Sequence, residues 1–226
     1  MQMMTRYAVY FAPRKGGFAQ RTAEWLGRDP ETGQTLPQPV LAGIGDAAGF
    51  TTDPRRYGFH GTIRAPFRPA PDVTEPMIRD RVTGLAARLA PVTCTGLRLE
   101  ILHGFIAFTP LGCEAALLDL AAAVVEGTND LRAPLTEAEV ARRRPDQLSA
   151  RQRALLDRWG YPFVMEEFRF HLTLTDRLTE PEPVLAVLDT HFLPVLPSPF
   201  VIEDLCLFGE DAAGVFRLMH RYALTG

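Results

Sequence analysis

Phe59-His60-Gly61-Thr62-Ile63 and Phe170-His171-Leu172-Thr173-Leu174 are two copies of one pattern, apolar-His-x-Thr-apolar, in a chain with five histidines. In an extended strand successive side chains alternate faces, so His and Thr two residues apart stand side by side. The first strand is expected over Tyr57 to Pro66, with His60, Thr62 and Arg64 on the face of Gly58 and with Phe59 and Ile63 turned into a core. The second is expected over Phe168 to Thr175, with Arg169, His171, Thr173 and Thr175 on one face and Phe168, Phe170, Leu172 and Leu174 on the other.

The surrounding sequence repeats with the motifs. Phe105 follows His60 by 45 residues and Phe216 follows His171 by the same 45. Each motif strand is followed by a Thr-Glu-Pro helix opening (Thr74-Glu75-Pro76 and Thr179-Glu180-Pro181), then a strand, a turn and a strand. Threonine suits a helix N-cap, glutamate the positive end of the dipole, and proline the first turn. The order predicts an α+β, bilobal, duplicated fold with two largely antiparallel sheets, pseudo-two-fold symmetry and helices packed outside. The lobes are expected at about 54–112 and 164–226, after an N-terminal strand and helix (5–27). A helical segment (113–160) joins them; there, Thr136-Glu137-Ala138-Glu139 and Ser149-Ala150-Arg151-Gln152 fit the capping-box pattern.

Composition narrows the function. The 226 residues carry a net charge of −3, which excludes a generally basic nucleic-acid surface and leaves only a local cationic site for any anion. Lys15 is the only lysine among 24 basic residues, an arginine excess that coding bias explains but that also supplies planar, permanently charged clamps. Cys94, Cys113 and Cys206 have no metal-ligand spacing and are expected as small buried residues of a reducing compartment. No apolar run is long enough to span a bilayer and no signal-peptide pattern opens the chain, so a cytoplasmic monomer is expected.

Two His, two Thr and flanking Arg residues suit phosphoester chemistry. One imidazole takes a proton from attacking water, the other protonates the leaving oxygen, and hydroxyl and guanidinium groups hold the non-bridging oxygens. His103, His191 and His220 lack metal-ligand partners, so neither a metal nor a cofactor is expected. Neither a phosphate-binding glycine loop nor a Gly-x-Ser-x-Gly elbow is present. Arg142-Arg143-Arg144 is read first as a complement to a helix C-terminus.

With both motifs in place, the chain resembles the 2H phosphoesterase superfamily over both lobes. Within it, Tyr57-Gly58-Phe59-His60-Gly61-Thr62-Ile63-Arg64-Ala65-Pro66-Phe67 looks like the signature of a bacterial branch associated with phosphonate-utilisation operons; Arg143-Arg144-Pro145 and Trp159-Gly160-Tyr161-Pro162 are similar to that branch too. The resemblance implies His60 and His171 as the acid–base pair, Thr62 and Thr173 as phosphate ligands, and a site in the groove between the lobes. Arg64 stands where many relatives are expected to have lysine, and Tyr57 is expected as an aromatic platform or as core. The implied substrate is a small sugar or nucleoside cyclic phosphate. A phosphate-ester sensor and RNA 2′,3′-cyclic phosphate end processing stay open as alternatives. Membrane partners are not expected, and extended nucleic acid is disfavoured.

Overall fold

Alternation along the first strand, β1 (Arg6–Phe11), sets the layers of the fold. In the computed structural model, which describes residues 4–226, Tyr7, Val9 and Phe11 turn into the principal core, while Ala8, Tyr10 and Ala12 turn to the opposite face. The other strands are β2 (Val40–Leu41), β3 (Gly45–Asp46), β4 (Gly61–Phe67), β5 (Val92–Cys94), β6 (Gly96–Leu102), β7 (Phe105–Leu111), β8 (Leu172–Thr173), β9 (Phe200–Ile202), β10 (Asp204–Glu210) and β11 (Phe216–Ala223). The helices are α1 (Gly17–Leu26), α2 (Glu75–Ala86), α3 (Glu114–Gly127), α4 (Glu137–Arg142), α5 (Ala150–Trp159) and α6 (Pro181–Phe192).

Helices α1, α2, α3 and α6 cover the principal-core face through Trp25 and Leu26, Ile78 and Val82, Leu117 and Val124, and Leu188 and Phe192. Each such side chain contributes about 1.5–3 kcal/mol on leaving water. Among the described residues, no helix is long and apolar enough to cross a membrane. The opposite face stays open over its middle, and α5 overhangs it from a separate small cluster of Val125, Leu155, Trp159 and Val164. Both predicted capping boxes form, at Thr136 with Glu139 and at Ser149 with Gln152. Thr74, by contrast, occupies its N-cap without accepting a bond there, and the second Thr-Glu-Pro opening places Glu180 rather than Thr179 at the cap.

The main sheet has seven strands in the order β11-β10-β1-β4-β8-β7-β6, every neighbouring pair antiparallel. It is two half-sheets joined by one matched pair, Gly61 with Leu172. The halves do not follow the sequence repeat. Strand β4, of the first copy, pairs with β1 beside β10 and β11 of the second, and β8, of the second copy, pairs with β7 of the first. The lobes drawn at 54–112 and 164–226 thus exchange their motif strands, which ties both copies to one floor. Gly61 and Leu172 are also the equivalent residues of the two motifs, so the pseudo-two-fold passes through their pairing.

Three expectations need correction. The first motif strand, expected over Tyr57 to Pro66, begins only at Gly61 and runs to Phe67, because a 3₁₀ turn at Pro54–Arg56 and the left-handed Gly58 occupy the residues before it. The second motif strand, predicted over Phe168 to Thr175, narrows to Leu172–Thr173 because a 3₁₀ turn at Met165–Glu167 delivers the chain to it. The three cysteines are not all free: Cys94 and Cys113 form a disulfide, with their Cα atoms 4.9 Å apart. The β6–β7 hairpin explains this, since Gly96 pairs with Leu111 and so sets the residues just outside the hairpin side by side. Only Cys206 is free, and burial pushes its thiol up to about 11, an inert state.

Candidate active site

Gly61 decides how the two motifs meet. A Cβ there would lie 2.2 Å from the Phe170 ring, so the half-sheets approach this closely only because the first motif has glycine between His and Thr. In an antiparallel pair the residues flanking a matched pair share one face, with opposite α-carbons about 4.5–5.5 Å apart. Around Gly61 and Leu172 those residues are His60, immediately before β4, with Thr62 inside it, and His171, immediately before β8, with Thr173 inside it. All four line a single cleft of about 600 Å³ on the face of the sheet away from the covering helices. That volume suits a mononucleotide or a sugar phosphate.

Both imidazoles are held alike. His60 Nδ1–H donates to the Gly58 carbonyl at 2.9 Å, and His171 Nδ1–H to the Arg169 carbonyl at 2.8 Å. In each case the acceptor lies two residues upstream, and in the neutral ring the lone pair is fixed on Nε2. Thr62 Oγ1 sits 3.3 Å from His60 Nε2. Glycine at position 58 has a steric reason: its φ is +72° and a Cβ would press on Pro30 at 2.6 Å. Tyr10 lies parallel beneath His60, with centroids 4.0 Å apart, and Phe105 stands 5.6 Å from His171.

Burial pushes His60 down to about 4, the Gly58 carbonyl opposing this and the charge of His171 adding to it. Burial also lowers His171, against the pull of the Arg169 carbonyl. Both rings are therefore neutral near pH 7 before a ligand arrives, and an anion beside them raises both.

Eight arginines and three carboxylates line the cleft, so a protein of net negative charge presents a cationic pocket. Several of these charges are committed. Arg6 forms a fork with Glu210 at 2.5 Å, Arg68 forms one with Glu139 at 2.9 and 3.0 Å, and Asp176 caps the Thr52 and Asp53 amides. Arg56, Arg142, Arg143 and Arg177 form no ion pair among the described residues. No group of three His, Cys, Asp or Glu side chains is arranged to hold a metal among the described residues.

The structure brings six of the seven candidate residues to the cleft: His60, His171, Thr62, Thr173, Arg64 and Tyr57. Tyr57 stacks on Phe216 at 5.0 Å as part of the wall. Arg64 is buried, aided by register shifts between β1 and β4 that interrupt simple alternation on either side of it. Arg169 is the correction. Its guanidinium turns back to the carbonyls of Glu166 and Phe168, at 3.0 and 2.6 Å, and is not part of the cleft lining. The alternation that placed it beside His171 holds only inside a strand, and the strand begins at Leu172. Tyr161, from the Trp159-Gly160-Tyr161-Pro162 segment that resembles the family branch, also lines the cleft, as do Tyr10 and Arg132, which nothing local in the sequence marks.

A family model described as "Protein of unknown function (DUF1045)" matches residues 62–217. Two proteins called ribose 1,5-bisphosphate phosphokinase PhnN are similar to this chain. The one from Janthinobacterium sp. (strain Marseille) is 36% identical over 222 residues, and the one from Laribacter hongkongensis (strain HLHK9) 38% over 217. Each match covers 94% of this chain but only 49% and 50% of the relative, so the chain spans about half the length of the curated relatives it matches. Among solved structures, TT0787 of Thermus thermophilus aligns at a TM-score of 0.49 and 17% identity, over 98% of both chains. E. coli LigT complexed with 3′-AMP aligns at 0.46 and 14%, also over 98% of both.

Proposed function

We propose that this chain, which belongs to the DUF1045 family, is a metal-independent phosphodiesterase that opens a small cyclic phosphate ester to a monoester. One observation carries the reading: two imidazoles in the same tautomer, each beside a threonine, share one arginine-lined cleft. The resemblance of both motifs to the 2H phosphoesterases supports it. The relatives' name points to ribose phosphates, and a ribose cyclic phosphate formed in phosphonate metabolism is the substrate class we favour. The kinase reaction in that name would call for a phosphate-binding loop; the sequence has none, and the chain spans only half of those proteins.

His60, the more strongly held in its neutral form, takes the proton of a water molecule as the water oxygen attacks phosphorus. The ring P–O bond breaks, its electron pair stays on the sugar oxygen, and His171 delivers the proton there. The substrate's own negative charge sustains the protonated form of His171. Thr62 and Thr173 donate to the non-bridging oxygens, and nearby arginines neutralise charge that builds in the transition state. The product leaves with His60 protonated and His171 neutral, and exchange with solvent restores the pair.

The pH profile tests these roles. In the free enzyme the base is competent above its own value, about 4, and the acid is competent below a value depressed from 6.5. A cyclic phosphate diester keeps one charge across this range, so kcat/KM is expected to be bell-shaped with its maximum below pH 6.5. A maximum above pH 8 would contradict the assignment. Activity is expected to survive a chelator, and loss of activity on chelation would contradict the metal-free route.

A further inference from the structure

We propose that the turn Trp159-Gly160-Tyr161, with the arginines gathered on it, forms a second anion subsite that takes a phosphomonoester group on the same substrate molecule. The inference rests on the phosphodiesterase reading and goes beyond it by requiring the substrate to carry two phosphates.

Three arginines meet at this turn. Arg64 is 1% exposed and lines the cleft; its Nη1–H donates to the Trp159 carbonyl at 3.1 Å, and its Nε and Nη2 have no partner. Arg132 donates to the Arg158 carbonyl at 3.0 Å, and its side chain lies where a Cβ on Gly160 would touch it at 3.3 Å. Arg143 lies 4.7 Å over the Tyr161 ring. None of the three forms an ion pair among the described residues, and the nearby carboxylate, Glu139, is held by both arms of the Arg68 fork.

A buried guanidinium with two unanswered donors and no counter-charge is costly to fold. Burial and the neighbouring Arg132 accordingly push Arg64 down to about 10. A phosphate accepts from such a fork in a bidentate manner and supplies the missing charge. Three uncompensated cations suit a dianion, the usual form of a phosphomonoester near neutrality.

The spacing fits one molecule. Arg64 follows Thr62 by two residues, about 7 Å along an extended chain, which is close to the breadth of a sugar ring carrying phosphates on opposite sides. With the cyclic phosphate between His60 and His171, the far side of the sugar faces the turn.

A matched substrate pair tests the subsite: uridine 2′,3′-cyclic phosphate, and the same compound with a 5′-phosphate. The wild type is expected to favour the 5′-phosphorylated compound in kcat/KM on the order of 10²-fold, the worth of a charge-assisted fork. In Arg64→Met, with folding checked by thermal melting, that preference is expected to collapse to a few-fold at most. Arg143→Gln is expected to reduce it part of the way and keeps the test alive should Arg64→Met not fold. Equal kcat/KM for the two compounds in the wild type, or a preference that survives in the folded variants, would overturn the subsite while leaving the phosphodiesterase reading in place. No turnover of either compound would instead overturn the reading on which it rests.

Discussion

Replacing either His60 or His171 by alanine is expected to lower kcat by roughly 10²–10⁴-fold while the protein stays folded. The two histidines stand at equivalent positions of the repeat, each oriented by a carbonyl two residues upstream, and each proton transfer has a single candidate at the floor of the cleft. Such a loss should appear in kcat more than in KM, because the imidazoles act on charge that develops during the reaction. Groups that act as a unit are far from additive, so the double variant should be little worse than the single ones. Steady-state kinetics of the three variants on one cyclic phosphate, with melting curves alongside, checks this. Near-normal kcat in either single variant would remove that histidine from the mechanism.

Gly61→Ala is expected to cost roughly 3 kcal/mol of stability, the upper part of the range for overpacked cores. The added methyl meets an aromatic ring at 2.2 Å, and that ring is itself buried in the principal core. Relief requires the half-sheets to part at their one matched pair. Parting them moves His60 and Thr62 away from His171 and Thr173, and a displacement near 1 Å in an active site costs about 10²-fold in rate. Trimming the ring should restore part of both losses, so Gly61→Ala with Phe170→Leu should be more stable and more active than Gly61→Ala alone. A double-mutant cycle by urea unfolding reads the coupling, expected to exceed about 1 kcal/mol. Additive single effects would show that the glycine does not set the approach of the two motifs.

The repeat was legible because its parts are local. Alternation marked the motif strand around Thr62, Gly and Pro punctuated the helices, and Thr136 with Glu139 wrote out a capping box that forms. Alternation failed where regular structure stops: Arg169 precedes β8, so its side chain follows the 3₁₀ turn and not the strand face. The exchange of β4 and β8 between the copies was hidden for a different reason. A repeat in sequence fixes which elements are alike, but strand pairing depends on contacts between residues fifty or more positions apart. The same distance hid Tyr10, which reaches His60 from another strand, and Arg132, which reaches the cleft from the loop after α3. The Cys94–Cys113 bond becomes readable only once the β6–β7 hairpin register is known.

The two halves of the repeat line one cleft because identical motif positions pair across the pseudo-two-fold. What separates the halves chemically is their surroundings. His60 lies against Tyr10 and is held neutral further into acid, while His171 lies beside Phe105. Under the proposed mechanism, this unequal burial in a near-symmetric frame makes one imidazole the base and the other the acid.

The most direct measurement follows a ribose cyclic phosphate by phosphorus NMR in ¹⁸O-labelled water, with chelator present and with wild-type protein compared against the two histidine variants. The account predicts that the cyclic resonance is replaced by one monoester bearing a single ¹⁸O on phosphorus, and that each variant slows this by roughly 10²–10⁴-fold. A cyclic resonance left unchanged by the wild type, or a monoester formed equally fast by the variants, would contradict it.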